Sequence, residues 1–397
     1  MTNKFNKVKT PCFIIDKTKL DDNIKNINIG RCIFNKSIIG YSVKTNSLLW
    51  LLNYFINNTD FYLEVVSPEE YEYVLSTGID PRRIIFNGPC KDFQTINYAL
   101  YNHSIVNIDT YRDLLNVKNI KFKANIGIRV NVTNNSNEKN LEKFGYEESR
   151  FGFSYQNGDL ENIIKQLNNH ENIKFSGLHF HLNNKKREVD NYILIAKLAS
   201  EIINKYNLKL DYIDFGGGYK GGYGVDFINY TTAIYNNLNI NNKDDITYIF
   251  EPGAAVIATP ISYLTRVIDI RDINGKKYVL IDGGRTHIDP TMSSKKYKYN
   301  IFSEKNDIEN TKQIIIGFSC MENDRIIELV NSKALSIGDM IEFENLGAYT
   351  MTLLPCFIKG YPNIYLIDND NYVIIREKKD ILNILGENNE RVYKKIK

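Results

Sequence analysis

Short apolar runs alternate with longer segments of helical periodicity between residues 36 and 251. The helical pattern is well marked in "SPEEYEYVLSTG", where Ser67 is placed to cap the helix, Glu70 to complete a capping box and Gly78 to end it. Eight strand-like runs alternating with helices predict an α/β fold, a parallel (β/α)8 barrel with its helices outside. These runs are 36–43, 61–66, 83–87, 104–109, 125–132, 173–183, 209–215 and 246–251.

Beyond the eighth strand the pattern changes. "YLTRVIDIRDINGKKYVLIDGG" is typical of a hairpin that turns at Asn274-Gly275. Further strand-like runs are 10–16, 313–318, 340–344 and 364–375. We therefore predict a barrel domain over residues 19–255 and a mostly β domain built from residues 1–18 and 256–397. The polar stretch 133–149 is predicted to be a mobile loop.

Composition narrows the class of protein. The 397 residues carry a net charge of +3 with acids and bases mixed throughout, so no nucleic acid or anionic membrane is indicated as a partner. No run approaches the roughly 18 apolar residues of a membrane span. The opening "MTNKFNKVKT" lacks the apolar stretch of a signal peptide. Five scattered cysteines without a CxxC pair do not indicate a disulfide framework, and we expect a cytoplasmic protein.

Polar and ionisable residues fall at the predicted carboxyl ends of the barrel strands, where barrel enzymes carry their chemistry. They are Lys44, Glu64, Asn87, Asp109, Arg129, His181, Gly216 to Gly218 and Glu251. The three glycines follow the seventh strand, where backbone N–H groups can approach an anion closely. Phosphate sites in barrels favour this position, although a flexible turn is the alternative.

Lys44 and Glu251 add what pyridoxal phosphate requires. A lysine amine can form a Schiff base with this cofactor, and a carboxylate can keep its pyridine nitrogen protonated. His179 and His181 in "GLHFHLN" share one face of a strand. A zinc site in a barrel hydrolase is the alternative for this pair, but it needs further ligands. Stacking of a neutral imidazole on the cofactor ring fits better, and no metal is predicted.

A series of motifs resembles the fold-type III pyridoxal-phosphate decarboxylases, a family that includes ornithine, diaminopimelate and arginine decarboxylases. The motifs run along nearly the whole chain in order. They are "YSVKTN", "LEVVSPEE", "GIDPRRIIFNGPCK", "SRFG", "GLHFH", "DFGGG", "EPG", "IDGG", "GFSC" and "GAYT". Each motif alone is weak, but the ordered set is specific. The resemblance implies an alanine-racemase-like barrel followed by a β domain.

The resemblance also implies roles for individual residues. Lys44 would carry the cofactor, His181 would stack on its ring, and Glu251 would pair with the ring nitrogen. Cys320, from the second subunit of an obligate homodimer, would protonate the carbanion after CO2 leaves. The residues implied to line the rest of the cofactor are Glu64, Arg129, Gly216, Gly217, Gly218 and Tyr349; those implied near the substrate are Met321, Asp324 and Arg285.

Departures from the family pattern bear on the substrate. Ala254 follows "EPG" where an arginine is usual, and Asp289 stands where relatives with a dicarboxylic substrate have an arginine. Their absence argues against diaminopimelate, because a second carboxylate favours bidentate guanidinium contacts. Met321 replaces the usual acid after Cys320, which weakens the case for plain ornithine or lysine.

We therefore predict a biosynthetic decarboxylase that removes the α-carboxylate of an amino acid, or of an amino-acid conjugate such as a carrier-bound aminoacyl group. Two alternatives stay open. A racemase of the same fold would need a second base opposite Lys44, and "GFSC" in that region favours the decarboxylase. A non-catalytic, decarboxylase-like regulator would have no need to keep Lys44, Glu251 and Cys320.

Overall fold

The structure is a computed structural model that describes residues 5, 7–132, 149–182, 187–222, 226–294, 296–304, 307–369 and 371–386. Most of the loop predicted at 133–149 lies outside these residues. The chain divides into two compact units, Asp22–Val256 and a second unit made of Met1–Asp21 with Ile257–Lys397. Within the described residues, no helix has both the length and the apolar character needed to cross a membrane.

The chain begins with strand β1 (Cys12–Asp16) and helix α1 (Lys17–Arg31). Eight parallel strands then close into a barrel in the described part of the first unit, which confirms the predicted fold. The strands are β2 (Ser37–Ser42), β3 (Tyr62–Val65), β4 (Ile84–Phe86), β5 (Ile105–Ile108), β6 (Ala124–Val130), β7 (Ile173–Phe180), β8 (Tyr212–Asp214) and β9 (Thr247–Phe250). Pairing of β2 with β9 closes the barrel.

Helices connect these strands, as the periodicity predicted. They are α2 (Leu49–Asn58), α3 (Pro68–Leu75), α4 (Phe93–Tyr101), α5 (Tyr111–Lys118), α6 (Asp159–Asn168), α7 (Asp190–Lys205) and α8 (Phe227–Asn237); a short helix α9 (Ala254–Ile257) follows the last barrel strand. Ser67 caps α3 by accepting a bond from the Glu70 N–H at 3.1 Å. The predicted capping box differs in one bond, because the Glu70 carboxylate accepts from the Val66 N–H at 2.8 Å.

The second unit is mostly β. Its later elements are β10 (Ile261–Ile273), β11 (Lys276–Ile281), α10 (Arg285–Ile288), β12 (Tyr299–Phe302), β13 (Ile308–Glu309), β14 (Gln313–Ile316), β15 (Arg325–Leu329), β16 (Ser332–Lys333), β17 (Met340–Phe343), β18 (Asn363–Asp368), β19 (Asn371–Arg376) and α11 (Ile381–Leu385). Among the described residues they form, with β1, a nine-stranded sheet and a separate two-stranded sheet. Strand β1 pairs antiparallel with β10 and parallel with β18, so the extended run at 10–16 belongs to this sheet.

Candidate active site

Lys44 lies in a single 3₁₀ turn, Val43–Thr45, that directly follows β2. The flanking side chains of Val43 and Thr45 are buried, while 30% of the Lys44 side chain is exposed. Its amine donates a hydrogen bond to the carboxylate of Glu64, which is buried at the end of β3. Because β2 and β3 are paired neighbours in the barrel, the two side chains meet at one rim. Lys44 thus places its amine beside a buried carboxylate and at the edge of solvent.

Glu251 directly follows β9 and is buried. Its Oε1 accepts a hydrogen bond from Asn87 Nδ2 at 2.5 Å. The nearest ring nitrogens of His179 and His181 lie 3.6 Å and 3.9 Å from its Oε2. Burial acts to raise the pKa of Glu251, but His179 and Lys44 outweigh it and hold this pKa below the usual range. Glu251 is therefore a buried carboxylate that keeps its negative charge.

Asp214 ends β8 next to Glu251 and has no exposed surface. Burial, reinforced by the neighbouring Glu251 carboxylate, raises the pKa of Asp214 well above its ordinary value. Asp214 therefore carries a proton, while its Oδ1 accepts a hydrogen bond from the Gly216 N–H at 2.8 Å. We did not assign a role to Asp214 from the sequence, although an acid ending an apolar strand in "DYIDFGGG" is the same pattern that pointed to Glu251.

In the glycine segment after β8, the backbone packs so closely against neighbouring residues that side chains would not fit. Gly216 and Gly218 have left-handed φ values of 61° and 98°. A Cβ at Gly217 would lie 2.6 Å from the Glu251 carbonyl oxygen. The Gly217 N–H donates to His181 Nδ1 at 3.1 Å, and the Tyr192 hydroxyl holds the Gly217 carbonyl at 2.6 Å. The segment thus leaves room for a ligand beside the backbone, while the Gly216 and Gly217 N–H groups donate to the side chains of Asp214 and His181. That it holds a phosphate stays a prediction from the sequence.

Arg129 and His181 complete the part of the site that belongs to the barrel. Arg129 lies near the end of β6 and pairs with Asp109 at 2.7 Å, while its guanidinium lies 4.4 Å from the centre of the Phe151 ring. Loss of water around the imidazole, together with the nearby Arg129 and Lys44 charges, lowers the pKa of His181 well below its ordinary value. His181 is therefore neutral, as in the stacking role predicted from the sequence.

One arrangement in the site is also compatible with a metal. Ligand atoms of His179, His181 and Glu251 all lie within 4.8 Å of one another. Both ring nitrogens of His179 are buried without a hydrogen bond. The same three residues, however, sit beside a lysine amine and a glycine segment, which a hydrolytic metal site does not need. The complete set fits pyridoxal phosphate: an amine, a charged acid, a neutral imidazole and a glycine segment that leaves room beside the backbone.

The remaining predicted residues belong to the β unit. Cys320 is exposed after β14, and Met321 follows it half-buried. Asp324 is buried and accepts hydrogen bonds from the N–H groups of Arg285 at 2.7 Å and Ser319 at 3.0 Å. Tyr349 is 41% exposed and has a left-handed φ of 58°. Asp324 thus has a structural role, since it holds the "GFSC" turn against the start of α10.

The Arg285 side chain is engaged inside the β unit. Its guanidinium donates to Asp289 at 3.4 Å, to the Tyr297 hydroxyl at 3.2 Å and to the backbone carbonyls of Met292 and Ser294. Asp289 in turn accepts from the Tyr297 hydroxyl at 2.9 Å. This network holds both the arginine predicted near the substrate and the acid that replaces a family arginine.

Comparison with known proteins agrees with this chemistry. Residues 24–258 match the family model described as "Pyridoxal-dependent decarboxylase, pyridoxal binding domain". The chain is 25% identical to diaminopimelate decarboxylase of Helicobacter pylori strain J99, over 95% of each chain, and 25% identical to a probable ornithine decarboxylase of Dictyostelium discoideum, over 78% of this chain and 70% of that one.

Solved structures show the same fold. Diaminopimelate decarboxylase from M. jannaschii superposes with a TM-score of 0.84 at 20% identity, covering 97% of this chain and 93% of that one. The arginine decarboxylase of Paramecium bursaria Chlorella virus, bound to agmatine, gives a TM-score of 0.77 at 20% identity, with coverages of 92% and 100%. Because the family model spans more than half of its length, the chain belongs to the pyridoxal-dependent decarboxylases, carboxy-lyases that use pyridoxal 5'-phosphate.

Proposed function

We propose that this decarboxylase removes the α-carboxylate of an amino acid, or of an amino-acid conjugate, at the carboxyl ends of β8, β9 and β2. The observation that carries the proposal is the convergence of three groups on adjacent strands. The glycine segment follows β8, Glu251 follows β9 and Lys44 follows β2, and these strands pair in that order. The phosphate, the ring nitrogen and the aldehyde carbon of one pyridoxal phosphate could thus be bound by groups on the same rim of the barrel.

The chain's own residues divide the work. Lys44 would hold the cofactor covalently, Gly216 to Gly218 with Tyr349 would hold its phosphate, and His181 would cover one ring face, with Glu64 and Arg129 at the ring's other edge. Pyridoxal phosphate, when bound, supplies a ring that accepts the electron pair left behind as CO2 departs. Glu251, charged and buried, would keep a proton on the ring nitrogen, which this acceptance requires. Lys44 would move protons at its amine when substrate enters and product leaves.

Cys320 is proposed to return a proton to the carbon that has lost CO2. It is exposed, as a thiol that serves the active site of a second copy has to be. The thiol S–H gives up its proton to the substrate carbon and recovers one from solvent. We therefore propose a homodimer with shared active sites, in which Met321 lies next to Cys320 near the substrate and Asp324 holds the turn that carries them.

The substrate is proposed to lack a second carboxylate. Relatives of this chain are named for diaminopimelate, ornithine and arginine. A guanidinium that binds a distal carboxylate needs unused N–H groups in a fork. The N–H groups of the Arg285 guanidinium instead donate hydrogen bonds to Asp289, Tyr297 and backbone carbonyls. Asp289 is moreover an acid, which does not attract a second carboxylate. These contacts favour a basic or neutral distal group, or a larger conjugate, over diaminopimelate.

The test of the residue roles uses Lys44→Ala with Lys174→Ala as its matched control, since Lys174 is an exposed barrel lysine paired with Asp211. The purified protein should absorb in the visible, and borohydride should fix the cofactor on the peptide that contains Lys44. Lys44→Ala should lose the visible band and CO2 release, while Lys174→Ala keeps both. CO2 release by Lys44→Ala at the wild-type rate would overturn the mechanism.

The test of the substrate is CO2 release over a panel of diaminopimelate, ornithine, lysine, arginine and N-acylated or carrier-bound amino acids. D/L exchange is followed on the same samples, because a racemase of this fold would exchange the α-proton without releasing CO2. Diaminopimelate as the preferred substrate would contradict the proposed distal specificity.

A further inference from the structure

A chain of buried polar side chains crosses the barrel beneath the proposed cofactor site. The Tyr212 hydroxyl donates to Asn107 Oδ1 at 2.7 Å, and Asn107 Nδ2 donates to Asn87 Oδ1 at 2.9 Å. Asn87 Nδ2 then donates to Glu251 Oε1 at 2.5 Å and to Glu64 Oε1 at 3.2 Å. One amide nitrogen therefore contacts both the partner of Lys44 and the acid proposed for the ring nitrogen. We call Tyr212, Asn107 and Asn87 the amide chain.

The direction of every bond in the amide chain follows from its acidic end. Carboxylates only accept hydrogen bonds, so Asn87 has to turn its NH2 group toward Glu64 and Glu251. Its oxygen then faces Asn107, which has to supply an NH2 group in return. That leaves the Asn107 oxygen for Tyr212, whose hydroxyl is the donor that ends the chain. A reversal at any one link would put two donors or two acceptors face to face in a buried site.

Two barrel strands carry a glycine at the point where the amide chain passes, and the missing side chains leave room for it. A Cβ at Gly127 on β6 would lie 2.0 Å from Asn107 Oδ1 and 2.1 Å from the Tyr212 hydroxyl. A Cβ at Gly177 on β7 would lie 2.2 Å from the Tyr212 ring. Two glycines inside strands, where glycine is disfavoured, therefore make the space that the phenol and the amide occupy.

Asn87 is the only member of this set placed between two carboxylates, both of them buried to about the same degree. An N–H donor stabilises the charged form of each acid without adding a charge of its own. The Lys44 amine also donates a hydrogen bond to Glu64, but this amine is the group proposed to bind the cofactor. The Asn87 amide is not needed for that bond and can stay with both acids.

We propose that Asn87, oriented through Asn107 by Tyr212, is a positioning residue that orients the carboxyl groups of Glu64 and Glu251 and fixes their separation. The inference rests on the proposed roles of these two acids. It assigns no contact with substrate to the amide chain. Its consequence is that the Tyr212 phenol, linked to Glu251 through two amides, affects how this acid titrates.

The first test compares Tyr212→Phe with Tyr71→Phe in the cofactor-loaded enzyme. Each variant removes one buried hydroxyl, and Tyr71 bonds Ser104 at 2.8 Å away from the amide chain. We expect Tyr212→Phe to weaken cofactor binding threefold to tenfold and to move the pH midpoint of the visible band upward, because Glu251 loses an oriented donor. Tyr71→Phe should lower the melting temperature alone. Equal midpoints and equal cofactor affinities in the two variants would overturn the proposal.

The second test uses Asn87→Asp, which keeps the shape and replaces the donor. An ionised aspartate repels both acids, whereas a protonated one can donate again. The ratio of wild-type to variant kcat should exceed tenfold at pH 8 and shrink as the pH falls, with a parallel recovery of cofactor affinity. A ratio that is constant with pH would refute the role. If Asn87→Asp does not fold, the comparison of Tyr212→Phe with Tyr71→Phe decides whether the proposed role is correct.

The wild-type spectrum keeps this test separate from that of the proposed function. A wild type that binds the cofactor but releases no CO2 from any substrate of the panel would defeat the proposed substrate class. The midpoint of its visible band would still report the effect of Tyr212→Phe.

Discussion

Asp214→Asn is expected to stabilise the cofactor-free barrel, by an amount that grows with pH. Asp214 has no exposed surface, and burial beside Glu251 raises its pKa well above that of an ordinary aspartate. The folded protein therefore keeps a proton that the unfolded chain releases above a pH of about 3.9. The stability that this group contributes is complete below that pH and is lost as the pH rises toward the raised folded pKa. An amide has no proton to lose, so the variant avoids this loss.

The size of the effect follows from linkage. While only the unfolded chain has released its proton, each pH unit lowers the free energy of unfolding of the wild type by about 1.4 kcal/mol relative to the variant. The difference between the two proteins should therefore widen by up to about 1.4 kcal/mol from pH 5 to pH 6. The amide oxygen can still accept from the Gly216 N–H, which lies 2.8 Å from Asp214 Oδ1. In the wild type, Asn107 Nδ2 lies 3.5 Å from Asp214 Oδ2. The variant places its own NH2 group opposite that nitrogen, and the resulting donor–donor contact lowers the stability of the variant by an amount that does not vary with pH.

Urea titrations of both proteins between pH 5 and 8, with the cofactor removed, measure this difference. Asp211→Asn is the control, because Asp211 is an exposed acid near β8 that pairs with Lys174 at the surface. Its difference from wild type should be small and nearly flat with pH. If the Asp214→Asn difference is also flat, or if the variant becomes less stable as the pH rises, Asp214 is ionised in the folded protein and the reasoning fails.

Two further predictions concern buried charges elsewhere. Lys91→Met should lower the free energy of unfolding by about 3–5 kcal/mol, because it leaves Asp113, 3.0 Å from Lys91 Nζ, fully buried without its ion-pair partner. Addition of Asp113→Leu should restore most of this loss in urea titrations, and no recovery would contradict the pairing. Burial lowers the pKa of His287 to about 3, so this group should lower the free energy of unfolding by up to about 1.4 kcal/mol per pH unit below pH ~6.5. The lowered pKa of His181 adds a slope of the same sign, so His287→Gln should reduce, not abolish, the slope in thermal unfolding between pH ~6.5 and ~5; an unchanged slope would contradict the lowered pKa of His287.

The barrel and most of its site residues were predictable because both follow local rules. Strand-helix alternation fixes the architecture, and a strand in a barrel delivers its last residue to a common rim. Lys44, Glu64 and Glu251 were therefore expected at one edge from their places after apolar runs, and the structure has them sharing contacts there. No knowledge of pairing partners was needed beyond strand order.

The charge states and the amide chain were not predictable in that way. Asn87 was expected at the rim beside Glu64 and Glu251, but Asn107 and Tyr212 lie within their strands, and strand order does not indicate that their side chains bond each other and Asn87. Asp214 is protonated because of what surrounds it after folding, not because of its neighbours in sequence. The Arg285 side chain likewise looks available in the sequence, yet its guanidinium is bonded within its own unit. Each of these depends on side chains that only the closed fold brings together.

The polar interior of the barrel is hard to explain by stability alone. Three acids, Glu64, Asp214 and Glu251, have almost no exposed surface, and burying a carboxylate is costly unless donors or cations surround it. One acid keeps a proton and the other two share an amide, so the fold reduces the repulsion among them without filling the site with cations. That leaves the Lys44 amine, at the edge of solvent, as the cation that a cofactor can engage. The arrangement is consistent with selection for a titratable, pre-organised acid beside a reactive amine, since apolar residues in the same volume would give a more stable barrel.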